Sequence, residues 1–202
     1  KNVLAATNTY TLNLTNEEDL IGLPDYVREQ AADAAKNKNL NGWLFDLTAP
    51  SYGPFMKFSE RRDLREKMYR QYNTRAFGGE FDNTPIIKRI AELRIKVANI
   101  LGYKNFADYK TEKRMAKSTS VINGFLDKLL APALPKAQQE VAELNEYAKT
   151  LGFTDEKLMP WDFSFYAEKL RAEKYNINEE QLKPYFQLES CIGAIFNLAN
   201  RL

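Results

Sequence analysis

The chain has 202 residues, 44 % hydrophobic and 12 % aromatic, enough to bury a sizeable core in one domain or a pair of small subdomains. Its 29 basic and 27 acidic residues leave a net charge of +2, which argues against a dedicated nucleic-acid binder and equally against an acidic tail or a disordered chain. There is no histidine and one cysteine, Cys191. Ser-His-Asp and Cys-His catalysis, every His-containing zinc site, an internal disulfide and a Cys-based zinc cluster are thereby excluded from these residues.

Two segments alternate with a period of two. Tyr10, Leu12 and Leu14 share one face of 9–14, and Trp43, Phe45 and Leu47 share one face of 42–47, which predicts a pair of half-buried strands. Between them, Thr15 to Glu18 fits a capping box, and Pro24 opens an Ala-rich helix to about Lys38. Residues 1–50 thus read as a strand–helix–strand unit and 51–202 as a helical region. Ser59 is expected to cap a helix running to Arg75 and ended by Gly78-Gly79. Thr84-Pro85 starts the next helix, whose Ile86, Ile90, Leu93, Val97 and Leu101 recur along one face before Gly102. A short helix covers Phe106 to Thr111. After Ser118 comes a long run with Val121, Phe125, Leu129, Val141 and Leu144 on its apolar side, expected to break or kink at Pro132 and Pro135. One helix follows Pro160. After a capping box at Asn178 to Gln181, a last one runs from Pro184 to the end. The fold class is mainly α. The last helix stops at Leu202 while still amphipathic, and the chain starts without Met, so both ends read as cut, with any targeting signal left undetermined. No apolar run approaches the ~20 residues that cross a bilayer.

Little in the chain reads as catalytic. Arg61, Arg62, Arg65, Lys67 and Arg70, and again Lys110, Lys113, Arg114 and Lys117, cluster among Tyr69, Tyr72, Tyr103 and Tyr109, as on a phosphate-binding surface. Glu60, Asp63, Glu66, Asp108 and Glu112 lie among them, so ion pairs on solvated helix faces account for the pattern better. Asp162 with Glu168, or Glu173 with Glu179, form carboxylate pairs whose separation no sequence fixes. Cys191 lies beside Ile192, Ala194 and Ile195 without an adjoining cation, the pattern of a buried core cysteine. In the segment 159–171, Trp161, Phe165 and Leu170 are expected to pack inward. Asp162 falls in the first turn of a helix, near its positive end.

That segment also carries a resemblance. Pro160-Trp161-Asp162, Phe165-Tyr166-Ala167-Glu168-Lys169 and Gln181-Leu182-Lys183-Pro184-Tyr185-Phe186 resemble the stretch preceding the zinc motif of the thimet-type zinc oligopeptidases. Upstream, Gly22-Leu23-Pro24, Pro50-Ser51-Tyr52, Leu64-Arg65-Glu66-Lys67-Met68-Tyr69, Thr74-Arg75-Ala76, Asp82-Asn83, Leu101-Gly102-Tyr103 and Lys113-Arg114-Met115-Ala116 follow in the family's order. Tyr166-Ala167-Glu168 and Tyr185-Phe186-Gln187 look more like its peptidyl-dipeptidase (dipeptidyl carboxypeptidase) branch.

The resemblance implies a larger, helical, two-lobed peptidase with a central channel, of which this chain is a wall segment lying before the His-Glu-x-x-His helix. It implies zinc in the parent protein and none bound to this chain, with no catalytic or metal-ligating residue here. The implied substrates are short peptides, cut to release C-terminal dipeptides. The implied partner is the remainder of the same polypeptide, with neither nucleic acid nor membrane, in the cytoplasm or periplasm. Arg75, Tyr166 and Tyr185 are the candidate channel-facing residues, though a packing or helix-pairing role accounts for each of them better. A non-catalytic helical binding module of the same ancestry is the alternative.

Overall fold

The computed structural model of the protein describes residues 1–175 and 185–202. The expected strands form and pair. Strand β1 (Thr11–Leu14) runs antiparallel to β2 (Trp43–Asp46), with Leu12 opposite Phe45 and Leu14 opposite Trp43. Leu12, Leu14, Phe45 and Leu47 are buried as the alternation requires, but so is Leu44 on the other face. Leu44 borders the same small cavity as Val27, Ala31 and Ala34 of helix α2 (Asp25–Asn37), so this strand is covered on both sides. The chain enters β2 through Gly42 at φ +85°, where a Cβ would lie 2.1 Å from the Leu14 carbonyl oxygen; only glycine fits that turn.

Helix α2 begins one residue after Pro24, which occupies the N-cap, and buries Val27, Ala31 and Ala35, spaced four apart on one face. The capping box at Thr15 does not form: a 3-10 turn over Glu17–Leu20 follows Asn16, with no side-chain cap. Two helices were not anticipated. Helix α1 (Asn2–Thr9) has neither a side-chain cap nor a strong apolar stripe to announce it. Helix α3 (Ala49–Phe58) contains Pro54 and follows Pro50 and Gly53, which read locally as breakers. Its presence corrects the role of Ser59, which ends α3 instead of capping the next helix, α4 (Arg62–Asn73). The Ser59 hydroxyl is buried without a hydrogen-bond partner.

The remaining helices follow the sequence closely. They are α5 (Thr84–Ile100), α6 (Phe106–Thr111), α7 (Thr119–Thr150), α8 (Phe163–Tyr175) and α9 (Leu188–Ala199). The long helix starts after Ser118 as expected, and the Ser118 side chain caps it by accepting from the Val121 amide. Of the expected break or kink, the break does not occur, since α7 continues through both Pro132 and Pro135. Each proline removes one backbone bond, and the Leu, Ala, Lys and Gln residues around them are strong helix formers that carry the helix across. The capping box at Asn178 to Gln181 and the helix start at Pro184 lie outside the described residues. Cys191 is half-buried and no residue of α9 is fully buried, which corrects the core assignment of this cysteine.

The chain divides into two units, Lys1–Tyr166 and Ala167–Leu202. In the first, one core gathers Leu12, Leu14, Leu20, Leu23, Val27, Phe45, Phe55, Met68 and Trp161, joining the sheet, α2, α3 and α4 to the segment leading into α8. The apolar stripes of α5 and of α7 up to Val141 do not belong to it. Ile86, Ile90, Leu93, Val97, Phe125 and Leu129 are exposed, and the buried residues of α7 lie near its C-terminal end, Leu144 and Ala148. Among the described residues no helix is long and apolar enough to cross a membrane.

Candidate functional site

Two side-chain clusters of the first unit carry the charge and aromatic chemistry. One is built on Asp162, which follows Trp161 and immediately precedes α8. An acid within the run Trp161 to Phe165 is surrounded by rings, and Asp162 has no solvent exposure. Arg62 grips it with two nitrogens, Nε at 2.9 Å from Oδ1 and Nη2 at 2.8 Å from Oδ2. Arg65 Nη2 donates to Oδ1 at 3.1 Å, and the Met159 amide donates to Oδ2 at 3.1 Å. Burial resists ionisation, but these donors outweigh it and hold the carboxyl below its ordinary pKa. Arg65 is itself fully buried. Its remaining donors are satisfied by the carbonyl oxygens of Trp161 and Ser59, and its Cζ lies 4.1 Å from the centre of the Phe165 ring. Arg62 reaches outward to Asp155 at 2.7 Å.

This centre shows how the arginine clusters are used. Arg70 pairs with Glu66 one turn away, and Arg61 with Asp63 and Asp19, which is the solvated pairing the sequence suggests. Arg62 and Arg65 instead reach a carboxylate about a hundred residues on, and Arg65 is in the core. The sequence offers a single clue, an acidic residue inside an aromatic run, and the helix-dipole role expected of Asp162 misses its main partners.

The second cluster holds Arg75, just past α4. Its Nε donates to the Tyr72 carbonyl and its Nη1 to Thr7 Oγ1, both at 2.7 Å. Its Cζ sits 3.5 Å from the centre of the Tyr72 ring, and that ring stacks on Tyr52 at 4.0 Å with 11° between planes. A ring has two faces, so Arg75, Tyr72 and Tyr52 form a three-layer stack with Arg75 at one end. Burial, with the neighbouring Tyr69 and Tyr72, pushes the Tyr52 phenol up to about 12.

Of the other candidates, Tyr166 lies in the first turn of α8 and is buried, its ring edge-on to Phe153 and Phe165 at 5.6 and 5.1 Å. Burial, reinforced by Asp162, raises its phenol pKa. Among the described residues Arg75 and Tyr166 share no hydrogen-bond or ring partner. Tyr185 belongs to the second unit and is 80 % exposed. A cavity of about 180 Å³ between α2, β2 and the start of α3 is lined mostly by apolar atoms, and Asp46 at its edge accepts from Thr48, closing the N-terminus of α3. Among the described residues no group of three or more His, Cys, Asp or Glu is placed to hold a metal ion. With no histidine in the chain, its residues cannot build a His-ligated zinc centre.

Comparison with known proteins gives this architecture a lineage. The family model described as peptidase family M3 matches residues 55–202. The chain belongs to peptidase family M3. The match takes in both arginines of the Asp162 centre, Asp162 itself and Arg75. Oligopeptidase A of Haemophilus influenzae is 38 % identical over 207 residues, covering 100 % of this chain and 30 % of the relative. Dipeptidyl carboxypeptidase of Escherichia coli is 33 % identical, covering 99 % of this chain and 30 % of that protein. Saccharolysin of Saccharomyces cerevisiae is 26 % identical, covering 92 % and 26 %. The chain therefore spans about 30 % of the length of the M3 relatives it matches.

Proposed function

We infer that the full-length protein is a zinc-dependent peptidase hydrolysing short peptides, and that this chain forms a helical wall of its substrate channel. What carries the reading is the whole-chain likeness to relatives named oligopeptidase A and dipeptidyl carboxypeptidase, together with the family M3 match. Family M3 peptidases are zinc metallopeptidases. Because this chain has no histidine to hold zinc, a His-Glu-x-x-His centre and the groups that act on the scissile bond would lie elsewhere in the polypeptide. The metal supplies Lewis-acid activation of water. This chain supplies a rigid wall: the Arg62–Asp162–Arg65 centre clamps α4 to the segment leading into α8.

Two observations point to different cuts. Tyr166-Ala167-Glu168 and Tyr185-Phe186-Gln187 favour release of C-terminal dipeptides. Identity summed over the whole chain is higher to oligopeptidase A than to dipeptidyl carboxypeptidase, 38 % against 33 %, and favours an oligopeptidase that need not release dipeptides. Mass spectrometry of the products formed by the full-length protein from one short peptide separates them, since sequential loss of dipeptides marks the first and a single internal cut the second. Activity that is abolished by a chelator and restored by Zn²⁺ supports the peptidase reading, and full activity in a metal-free preparation refutes it. The 202 residues by themselves are expected to neither cleave peptide nor retain stoichiometric zinc.

A further inference from the structure

Arg75 is a half-buried cation held in place entirely by neutral groups. Its contacts are the Tyr72 carbonyl, the Thr7 hydroxyl and the face of the Tyr72 ring, and among the described residues no carboxylate pairs with it. Partly buried guanidinium groups are ordinarily matched by an anion, as Arg62 and Arg65 are by Asp162. Arg28 also lacks a carboxylate and a ring beneath it among the described residues, but it spends Nε and Nη2 on the carbonyls of Leu23 and Leu20. In Arg75 the two bonds fall on Nε and Nη1, so Nη2 keeps both its hydrogens and one hydrogen of Nη1 remains. Those free hydrogens are donors of the kind a carboxylate accepts from a guanidinium.

The guanidinium is also pre-oriented. Thr7 donates its own hydroxyl proton to the Val3 carbonyl at 2.8 Å, which leaves its oxygen turned to accept from Arg75. Tyr72 fixes the guanidinium plane from below, and Tyr52, packed against the core, fixes Tyr72. Little side-chain entropy is left to lose on binding.

We propose that Arg75, held on the Tyr72–Tyr52 stack and by Thr7, receives the free C-terminal carboxylate of a peptide substrate. The proposal rests on the peptidase reading above. It makes Arg75 a specificity residue: peptides ending in a carboxylate bind through it, and the same peptides ending in an amide do not.

The test uses the full-length protein and two short peptides of one sequence, one a free acid and the other amidated. Wild type should show a KM for the amide about 10- to 100-fold above that for the acid, the span of one charged hydrogen-bonded contact, with kcat nearly equal. Arg75→Gln should raise the acid's KM to the amide's value and leave the amide unchanged, while Arg75→Lys should fall between. Equal KM for acid and amide in wild type overturns the proposal, and that comparison needs no variant. Loss on both peptides alike, together with a lowered unfolding temperature, also overturns it, because Arg75 then pairs with a carboxylate of the protein itself. If neither peptide is hydrolysed, the peptidase reading fails by itself. Calorimetric binding of the acid and the amide to the same protein still decides the role of Arg75.

Discussion

Asp162 is an acid without solvent that nevertheless stays charged, because two guanidinium groups and the Met159 amide surround it. Asp162→Asn keeps the shape, removes the charge and strands Arg65 in the core. Breaking a buried pair from one side costs about 3–5 kcal/mol, so urea unfolding of the variant should show a loss of that size; a loss below about 1 kcal/mol would mean the pair is replaceable. The same centre sets an acid limit. A carboxyl whose folded pKa is depressed contributes stability that is complete above its unfolded value of about 3.9 and disappears as pH falls through the lower folded value. Unfolding free energy measured from pH 6 downward should therefore decline below about pH 4 in the wild type, and the Asn variant should lose less over the same range. None of this pairing was legible beforehand, since Arg65 and Asp162 are 97 residues apart and only the folded chain brings them together. Arg75 was legible as a position of interest, yet its orienting partner Thr7 lies in a helix the sequence did not announce.

At the scale of elements, the turn glycines separate two costs that sequence inspection merges. Gly42 and Gly78 both have positive φ, +85° and +77°. At Gly78 an added Cβ meets nothing within 4 Å, whereas at Gly42 it meets the Leu14 carbonyl oxygen at 2.1 Å. Gly78→Ala should thus cost only the conformational strain, about 1–2 kcal/mol. Gly42→Ala adds a backbone clash that separates β1 from β2, and should cost clearly more in the same denaturation experiment; equal costs would show that the strand entry can shift. Elements declared by periodicity were readable: the two strands, α2, α5, α6 and the Ser118 start of α7. Those missed were governed by tertiary packing instead of local signals. Phe55 and Met56 of α3 are buried in the shared core, and that burial outweighs the prolines and glycine that argued against a helix there. The capping box at Thr15 failed for the converse reason, a local signal with no helix behind it, since only the 3-10 turn ending at buried Leu20 follows.

For the whole molecule, the decisive quantity is uncovered apolar surface. The stripes of α5 and α7 are regular enough to be read from the sequence, yet Ile86, Ile90, Leu93, Val97, Phe125 and Leu129 are all more than 40 % exposed. Stripes of this regularity exist to be buried, and a contiguous exposed patch beyond a few hundred Å² marks an interaction surface. Relatives carry the other 70 % of their length outside the part that matches this chain, which spans 30 % of them, and on the proposed reading chain of that extent would cover both helices. Two consequences can be measured against each other. Light scattering over a dilution series should show the 202-residue chain self-associating, and Phe125→Lys with Leu129→Lys should reduce that association by placing charge on the α7 stripe. In the full-length protein the same pair of lysines should lower the unfolding temperature, because there they would be forced into a packed interface without counter-ions. Lysines that relieve association in the short chain and leave the full-length protein equally stable would show the α7 stripe to be a free surface in the complete molecule. Opposite signs in the two settings would identify α7 as a helix whose partner is the polypeptide's own remaining length.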